Sequence, residues 1–585
     1  MSSRPPIFTA TRAQIATYLL SVCPFSIAFL VFLNSSVSFV VTDLIGLEKG
    51  VGDAVGTLGF ADELLALIAC PVWGLLSDRI GVRHVCAAGY AIIALALVLS
   101  VQSSNVYPQL LLGRLLFSLG GSAVSTMVTA VLPAVTANQA VSEGAVSGSS
   151  SGLSQNNSSI SVRRHTPSMS SEVTITPIRF ERSSTRRTKP ATPDAQRSSP
   201  RLAGFVGMFA GCGALIALVL FLPLPARFER SGASPASAIT RTYYIVGAVA
   251  LAIAVICFIG LRNLHGEEGK GWSSVRRSSN LLSSGQSDTP PRDSPLPYSR
   301  NQLSRSFYLG FTNPDISLSY IGGFVARSSS VGISLFIPLF VNHYYRESGL
   351  CHAAQPGLLA RDLGEIKKSC PEAYVLASIL TGVSQLVALI TAPAYGYLSD
   401  KSRRHKLPLH FAALVGVAGY VAFPLLPSPR FRGPDGTFGV FVVMGLLGLS
   451  QIGAIVCSLA VLNDGVLNNS DRKMESGAVQ GVLQEPSNAP DSETGNPSAE
   501  QEPLLGCQAR SKVSDLGYMK GSIAGVYSLY GGAGILLLTK LGGLLFDVLS
   551  PGAPFYIMAL FNGILFVACI GFSVRTYTLR TRELD

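Results

Sequence analysis

Residues Ala66–Arg79 read ALIACPVWGLLSDR, and residues Ala388–Lys401 read ALITAPAYGYLSDK. The two stretches lie 322 positions apart and agree at eight of fourteen, more than two unrelated apolar segments share through composition alone. Working outward, Ala203–Gly213 (AGFVGMFAGCG) matches Ala524–Gly534 (AGVYSLYGGAG) at nearly the same offset, and Gly113, Ser118 and Gly121 fall on Gly445, Ser450 and Gly453. The two halves of the chain therefore carry one repeated unit.

Hydropathy identifies that unit. A helix needs about 20 apolar residues to cross the hydrocarbon core of a bilayer. Twelve such runs occur, near 14–42, 54–76, 85–101, 108–134, 202–225, 242–262, 315–341, 374–398, 407–427, 437–462, 519–546 and 553–574. Of the 585 residues, 48% are hydrophobic and 14% charged, where a soluble domain carries about a quarter charged. This argues against an ordinary soluble enzyme. The net charge of +11 resides mainly in a few polar stretches between the runs, which reads as membrane topology and not as nucleic-acid binding. Cysteines inside the runs (Cys23, Cys70, Cys212, Cys257, Cys457, Cys569) are expected to pack as small apolar residues. The fold class is thus an all-α membrane protein of twelve transmembrane helices. Because six is even, both six-helix repeats insert the same way up, and parallel repeats with a midplane site between them are a transporter architecture.

Three polar, Ser- and Pro-rich inserts interrupt the array at 135–200, 263–313 and 463–518 and are expected to be disordered. They divide the chain into 1–134 (spans one to four), 201–262 (five and six), 314–462 (seven to ten) and 519–585 (eleven, twelve and a short tail). Each insert follows an even-numbered span. The first holds Arg163, Arg164, Arg179, Arg182, Arg186, Arg187, Lys189 and Arg197, so the positive-inside rule puts all three inserts and both termini in the cytosol.

The ten residues Gly74–Arg83, GLLSDRIGVR, after span two resemble the signature of the major facilitator superfamily, Gly-x-Leu-Ala-Asp-Arg-x-Gly-Arg-Lys. Gly74, Asp78, Arg79, Gly81 and Arg83 carry the resemblance, and Gly396, Asp400, Lys401 and Arg404 repeat it where that family repeats it. The chain departs from the signature at Val82 and at Arg403, which replaces the second glycine. The resemblance implies the major facilitator fold, with alternating access around a midplane site and a loop motif that governs the conformational change. The residue types fit that role: Gly74 permits close helix approach, Asp78 can face a helix N-terminus, and the arginines can hold the loop at the lipid headgroups. The Ser-rich inserts and the loop after span seven further resemble fungal drug:proton antiporter-like proteins and vacuolar members. The Pro-Gly motif of antiporters is missing, since Gly204, Gly207, Gly211 and Gly213 of span five are followed by no proline.

Ionisable groups at membrane depth are functional candidates because burying them is costly unless they are paired. Asp62 and Glu63 in span two and Arg114 in span four lie at similar depth, and a Glu63–Arg114 pair is expected. Arg114 with Gly120 and Gly121 resembles the family's span-four pattern implicated in proton coupling. Arg327 sits near the middle of span seven, which lines the central cavity in the superfamily, so it is a candidate for binding an anionic substrate group or countering a carboxylate. Lys540 of span eleven, facing Asp62 or Glu63, is a candidate luminal gate. Asn34, Gln385 and Gln451 are candidate cavity-lining residues; Gln385 occupies the repeat position of Glu63, so the acid belongs to one half only.

Outside the spans, Cys351 and Cys370 share one luminal loop and are a candidate disulfide. Glu500, Leu504 and Leu505 form an acidic dileucine pattern read by sorting adaptors, which favours the vacuolar over the plasma membrane, and Arg276–Ser279 has the basic spacing of a kinase site. No metal or cofactor is expected, and no P-loop is present to hydrolyse ATP. The expected function is secondary transport of a small organic solute by a lipid-embedded monomer, coupled to protons. The alternative is a transporter-like receptor that binds without moving its ligand.

Overall fold

The computed structural model describes residues 10–47, 51–136, 198–264, 267, 270, 302–349, 371–402, 406–431, 436–480 and 519–582. These residues are helical or in turns, with no strand among them. Twelve helices are long and apolar enough to cross a membrane: Arg12–Val37, Ala54–Ile80, Val82–Ser100, Val106–Val135, Pro200–Arg230 and Pro235–Gly260 form spans one to six. Pro314–Glu347, Val375–Lys401, Leu407–Leu425, Gly439–Val466, Lys520–Val548 and Ala553–Arg575 form spans seven to twelve. The chain is an integral multi-pass membrane protein.

Each half packs as a bundle. Spans three and four, three and six, two and four, and one and five hold the first together; spans nine and ten, nine and twelve, eight and ten, and seven and ten hold the second. The cysteines within the spans are free thiols, buried apart from the half-buried Cys212. The repeat extends to irregularities of the backbone. A widened, π-type turn occupies Ala217–Phe221 in span five and Leu538–Gly542 in span eleven, 321 residues apart. Such a turn inserts one residue into the helical ladder and re-aims the helical turns beyond it.

Three boundaries differ from the sequence expectation. The motif residues Gly74 to Arg79 belong to the helix of span two, which runs to Ile80, and only Gly81 separates it from span three. Gly81 has φ +91°, a conformation open to glycine, and an added Cβ would lie 2.6 Å from Oε2 of Glu267. Within 263–313, expected to lack structure, Gln302–Thr312 is a helix because Leu303 and Phe307 fall on one face and pack against the core, with Gly310 against the ring of Tyr320. The helix of span ten continues to Gln480, eighteen residues past the expected boundary at 462.

The bundles meet through spans two and eleven, and five and eight. Both crossings use small residues in the half nearest Asp78 and Asp400, here termed the basic end. A Cβ on Gly74 would collide with the carbonyl of Gly521 and come within 3.0 Å of the Cα of Gly525. A Cβ on Gly204 would lie 2.9 Å from the Cα of Gly396. Under the repeat, Gly74 corresponds to Gly396 and Gly525 to Gly204, so the two crossings are one contact made twice.

Candidate coupling and substrate site

At the basic end each crossing is fastened by an aspartate. Asp78 lies at the N-terminus of the helix Lys520–Leu537 in span eleven, where backbone N–H groups are unspent. Its Oδ1 accepts from the N–H of Gly521 at 2.7 Å and its Oδ2 from the N–H of Ser522 at 2.7 Å, with the Ser522 hydroxyl donating as well. Asp400, at the equivalent place in span eight, accepts from Nε of Arg201 at 2.8 Å. Arg201 is the repeat counterpart of Ser522, and each lies two residues before the aligned stretches that begin at Ala203 and Ala524.

Of the remaining motif residues, Arg83 packs against the protein. Arg83, expected at the headgroups, places its guanidinium 4.0 Å from the ring centre of Phe258 on span six. Arg79 and Lys401 close their helices, and Arg404 lies outside the described residues. Glu267, in a stretch whose composition gave no signal, accepts from the N–H of Val82 at 2.7 Å and pairs with Lys270 at 3.0 Å, capping span three.

Deeper in the first bundle, the expected Glu63–Arg114 pair is replaced by its neighbour. Arg114 binds Asp62 Oδ2 at 2.9 Å and also donates to the side-chain oxygen of Asn34. One residue is about 100° of helix, so Asp62 faces span four while Glu63 points elsewhere. Ser118 fixes the register by donating to the carbonyl of Asp62 at 2.7 Å. The pair is more than nine-tenths buried, yet Oδ1 of Asp62 and Nη1 of Arg114 have no hydrogen-bond partner.

In the second bundle Gln385 donates to Gln451 at 3.2 Å, and Gln451 donates to the hydroxyl of Ser330 at 3.0 Å. Ser330 is one helical turn from Arg327, on the same face of span seven. Arg327 crosses between the bundles: its Nη2 donates to the hydroxyl of Ser125 on span four at 2.8 Å. Glu63 lies within electrostatic range of Arg327 and Arg114. Asn34 and Gln385 are exposed, and Glu63, Arg327 and Ser330 half-buried, although all lie within the spans. These groups come from both bundles and are linked across the divide by the Arg327–Ser125 hydrogen bond.

The profile of the Major Facilitator Superfamily matches residues 25–153 and 193–484. The chain belongs to that superfamily. It is therefore a transporter and not an enzyme. A search of curated protein sequences finds no match. Among solved structures, the major facilitator proton:xylose symporter XylE bound to 6-bromo-6-deoxy-D-glucose superposes with a TM-score of 0.53 at 10% identity, covering 96% of this chain and 95% of that one. FucP in the outward conformation gives 0.51 at 12%, covering 96% and 99%. A bacterial homologue of the iron transporter ferroportin in the outward-facing state gives 0.52 at 12%, covering 96% and 100%.

Within this major facilitator fold, the expected gate between Lys540 and Asp62 or Glu63 is not formed. The ammonium of Lys540 lies 3.9 Å above the ring of Phe60, and no ion pair joins it to either acid among the described residues. Asp62 is already committed to Arg114, so the lysine takes the aromatic face one turn away. Cys351, Cys370, Glu500, Leu504 and Leu505 lie outside the described residues. Among those described, no group of three His, Cys, Asp or Glu is placed to hold a metal. Ser125, Arg201, Ser330, Ser522 and Glu267 are site residues that the sequence reading missed. Serine in a transmembrane helix is too common to single out, and partners from distant spans meet only after folding.

Proposed function

We propose that this superfamily member is a proton-coupled secondary transporter that carries a small organic solute by alternating access, with its basic end in the cytosol. The observation that carries the reading is the division of the midplane polar groups between two bundles fastened at one end by symmetry-related contacts. Arg327 of the second bundle rests on Ser125 of the first, and Asp78 and Asp400 fasten across the same divide. A rocking motion that opens the basic end must break all of them together, and would expose the same polar groups to the other compartment.

Proton coupling is supported by the carboxylates. Asp62 has one oxygen on Arg114 and the other without a partner, while Glu63 is half-buried beside two arginines. A carboxylate whose counter-charge is shared or lost as the halves move is a place for a proton to bind and leave. The fold is shared with XylE, a proton:xylose symporter. In proteoliposomes holding the purified chain, an inward acid gradient is expected to drive solute accumulation that collapses when a protonophore is added. Ligand binding with no flux under either condition would favour the receptor alternative.

The acidic dileucine at Glu500, Leu504 and Leu505 supports residence in the vacuolar membrane, as in the vacuolar, antiporter-like branch that the Ser-rich inserts resemble. Replacing Leu504 and Leu505 together with alanine is expected to shift a fluorescently tagged protein from the vacuolar to the plasma membrane. An unchanged distribution would remove the sorting assignment without touching the transport reading.

A further inference from the structure

Around Glu63 stand Asp62, Arg114 and Arg327, and with Glu63 itself these are two acids and two bases that sum to zero; Lys540, as far into span eleven as Asp62 is into span two, is exposed and rests over the ring of Phe60. Asp62 and Arg114 neutralise one another by contact. Glu63 and Arg327 do not: no ion pair joins them among the described residues, and each is half-buried. The charged groups facing Glu63 are Asp62 on its own helix, Arg327 from span seven and Arg114 from span four, with the thiol of Cys70 one further step along span two.

Arg327 has five N–H donors and spends one on Ser125. The others have no protein acceptor among the described residues, and one helical turn away Ser330 is hydrogen-bonded to Gln451, which is in turn bonded to Gln385. A guanidinium with unspent donors presents a planar fork that matches a carboxylate. The hydroxyl and two amides beside it offer donors and acceptors for neutral hydroxyl groups. We propose that the site takes a hydroxylated monocarboxylate, bound through Arg327, and carries it together with one proton lodged on Glu63, so that the cycle moves no net charge. This rests on the proton-coupled reading above and adds the substrate class and the stoichiometry.

The stoichiometry follows from the charge sum. When the bundles close over the site, water leaves and any unbalanced charge becomes costly. The empty, unprotonated pocket holds zero net charge. With the anion alone it holds one negative charge, with the proton alone one positive charge, and with both it returns to zero. Only the empty and the doubly loaded pockets close readily, so anion and proton cross in the same direction. The proton passes from water at the open end to a carboxylate oxygen of Glu63 and back to water at the other end, and no other bond changes.

The test uses the full-length protein in proteoliposomes with radiolabelled gluconate and lactate, and with xylose and choline as neutral and cationic controls. Acid uptake is expected to rise with an inward proton gradient and to be indifferent to a potential imposed with potassium and valinomycin. Arg327→Ala is expected to raise the KM for gluconate roughly tenfold or more, with partial recovery in Arg327→Lys. Glu63→Gln fixes the empty pocket at one positive charge and the loaded one at zero. Gluconate-for-gluconate exchange should then persist, independent of pH, while net uptake falls roughly tenfold or more. Uptake of xylose or choline in place of the acids, uptake of the acids that follows voltage, or no interaction with either acid overturns the proposal. Thermal stabilisation of the purified protein by gluconate, lost in Arg327→Ala but without flux in the parent, upholds the anion site while removing the transport reading, so the two are separable.

Discussion

Replacing Gly74 with valine is expected to abolish net transport while leaving the protein folded. Gly74 faces Gly521 and Gly525 across the seam between the bundles, where one added carbon would overlap the backbone of span eleven. Backbone cannot rotate away as a side chain can, so the strain is relieved only by separating the helices. Overpacking of this kind costs about 1–3 kcal/mol, and three side-chain carbons against backbone fall toward the upper end. Because each bundle has its own internal packing, that energy is spent on the equilibrium between the two orientations and not on unfolding. A cost in this range shifts such an equilibrium about 5- to 150-fold, away from the state closed at the basic end. The population can be read directly. Ser77 is 1% exposed in the present state, so a cysteine placed there in a background without reactive thiols should be silent to an impermeant maleimide in the parent. It should label readily in the Gly74→Val variant. Gly204→Val, at the repeat-related crossing, should behave alike, and the two together should be little worse than either. Normal turnover in either variant would show that these crossings do not hold the basic end shut.

The fold was legible because its determinants are periodic and local. Twelve apolar runs and a fourteen-residue repeat are properties of neighbouring residues, and they specified both the helices and their pairing into two parallel bundles. The glycine of the motif was legible for the same reason, since a small residue repeated at equivalent places implies a close approach. Partners fixed by rotation about a helix, or by contact between distant spans, could not be read. Asp62 and Glu63 are adjacent in sequence, and only the folded register pairs the first with Arg114 and leaves the second within reach of Arg327. Lys540 has a long flexible chain, and its rest on Phe60 depends on Asp62 being engaged elsewhere. Ser125 meets Arg327 across 202 residues, and nothing near either serine or arginine announces the other. The helix Gln302–Thr312 was hidden by its surroundings: eleven residues with apolar positions four apart are a weak signal inside a long polar insert.

The pairing of Asp62 with Arg114 leads to the second large effect. Asp62→Asn removes the countercharge from an arginine that is only 6% exposed, and an uncompensated buried charge costs about 3–5 kcal/mol. The thermal unfolding midpoint in detergent is expected to fall sharply, as is the yield of folded protein. The second half of the molecule supplies the control. Under the repeat, Asp62 corresponds to Ser384 and Arg114 to Leu446, so the same helix contact is built there without charge, and Ser384 is fully buried in it. Installing that solution in the first half, as Asp62→Ser with Arg114→Leu, should recover most of the stability that either substitution alone forfeits. Removing both members of a buried pair spares the desolvation that stranding one incurs. The double variant removes one acid and one base together and so leaves the charge sum around Glu63 and Arg327 unchanged, so acid-driven uptake should return along with stability. If the double variant were no more stable than Asp62→Asn, the pair would not be the source of the loss. If it were stable but uncoupled from protons, Asp62 and not Glu63 would be the carboxylate that carries the proton.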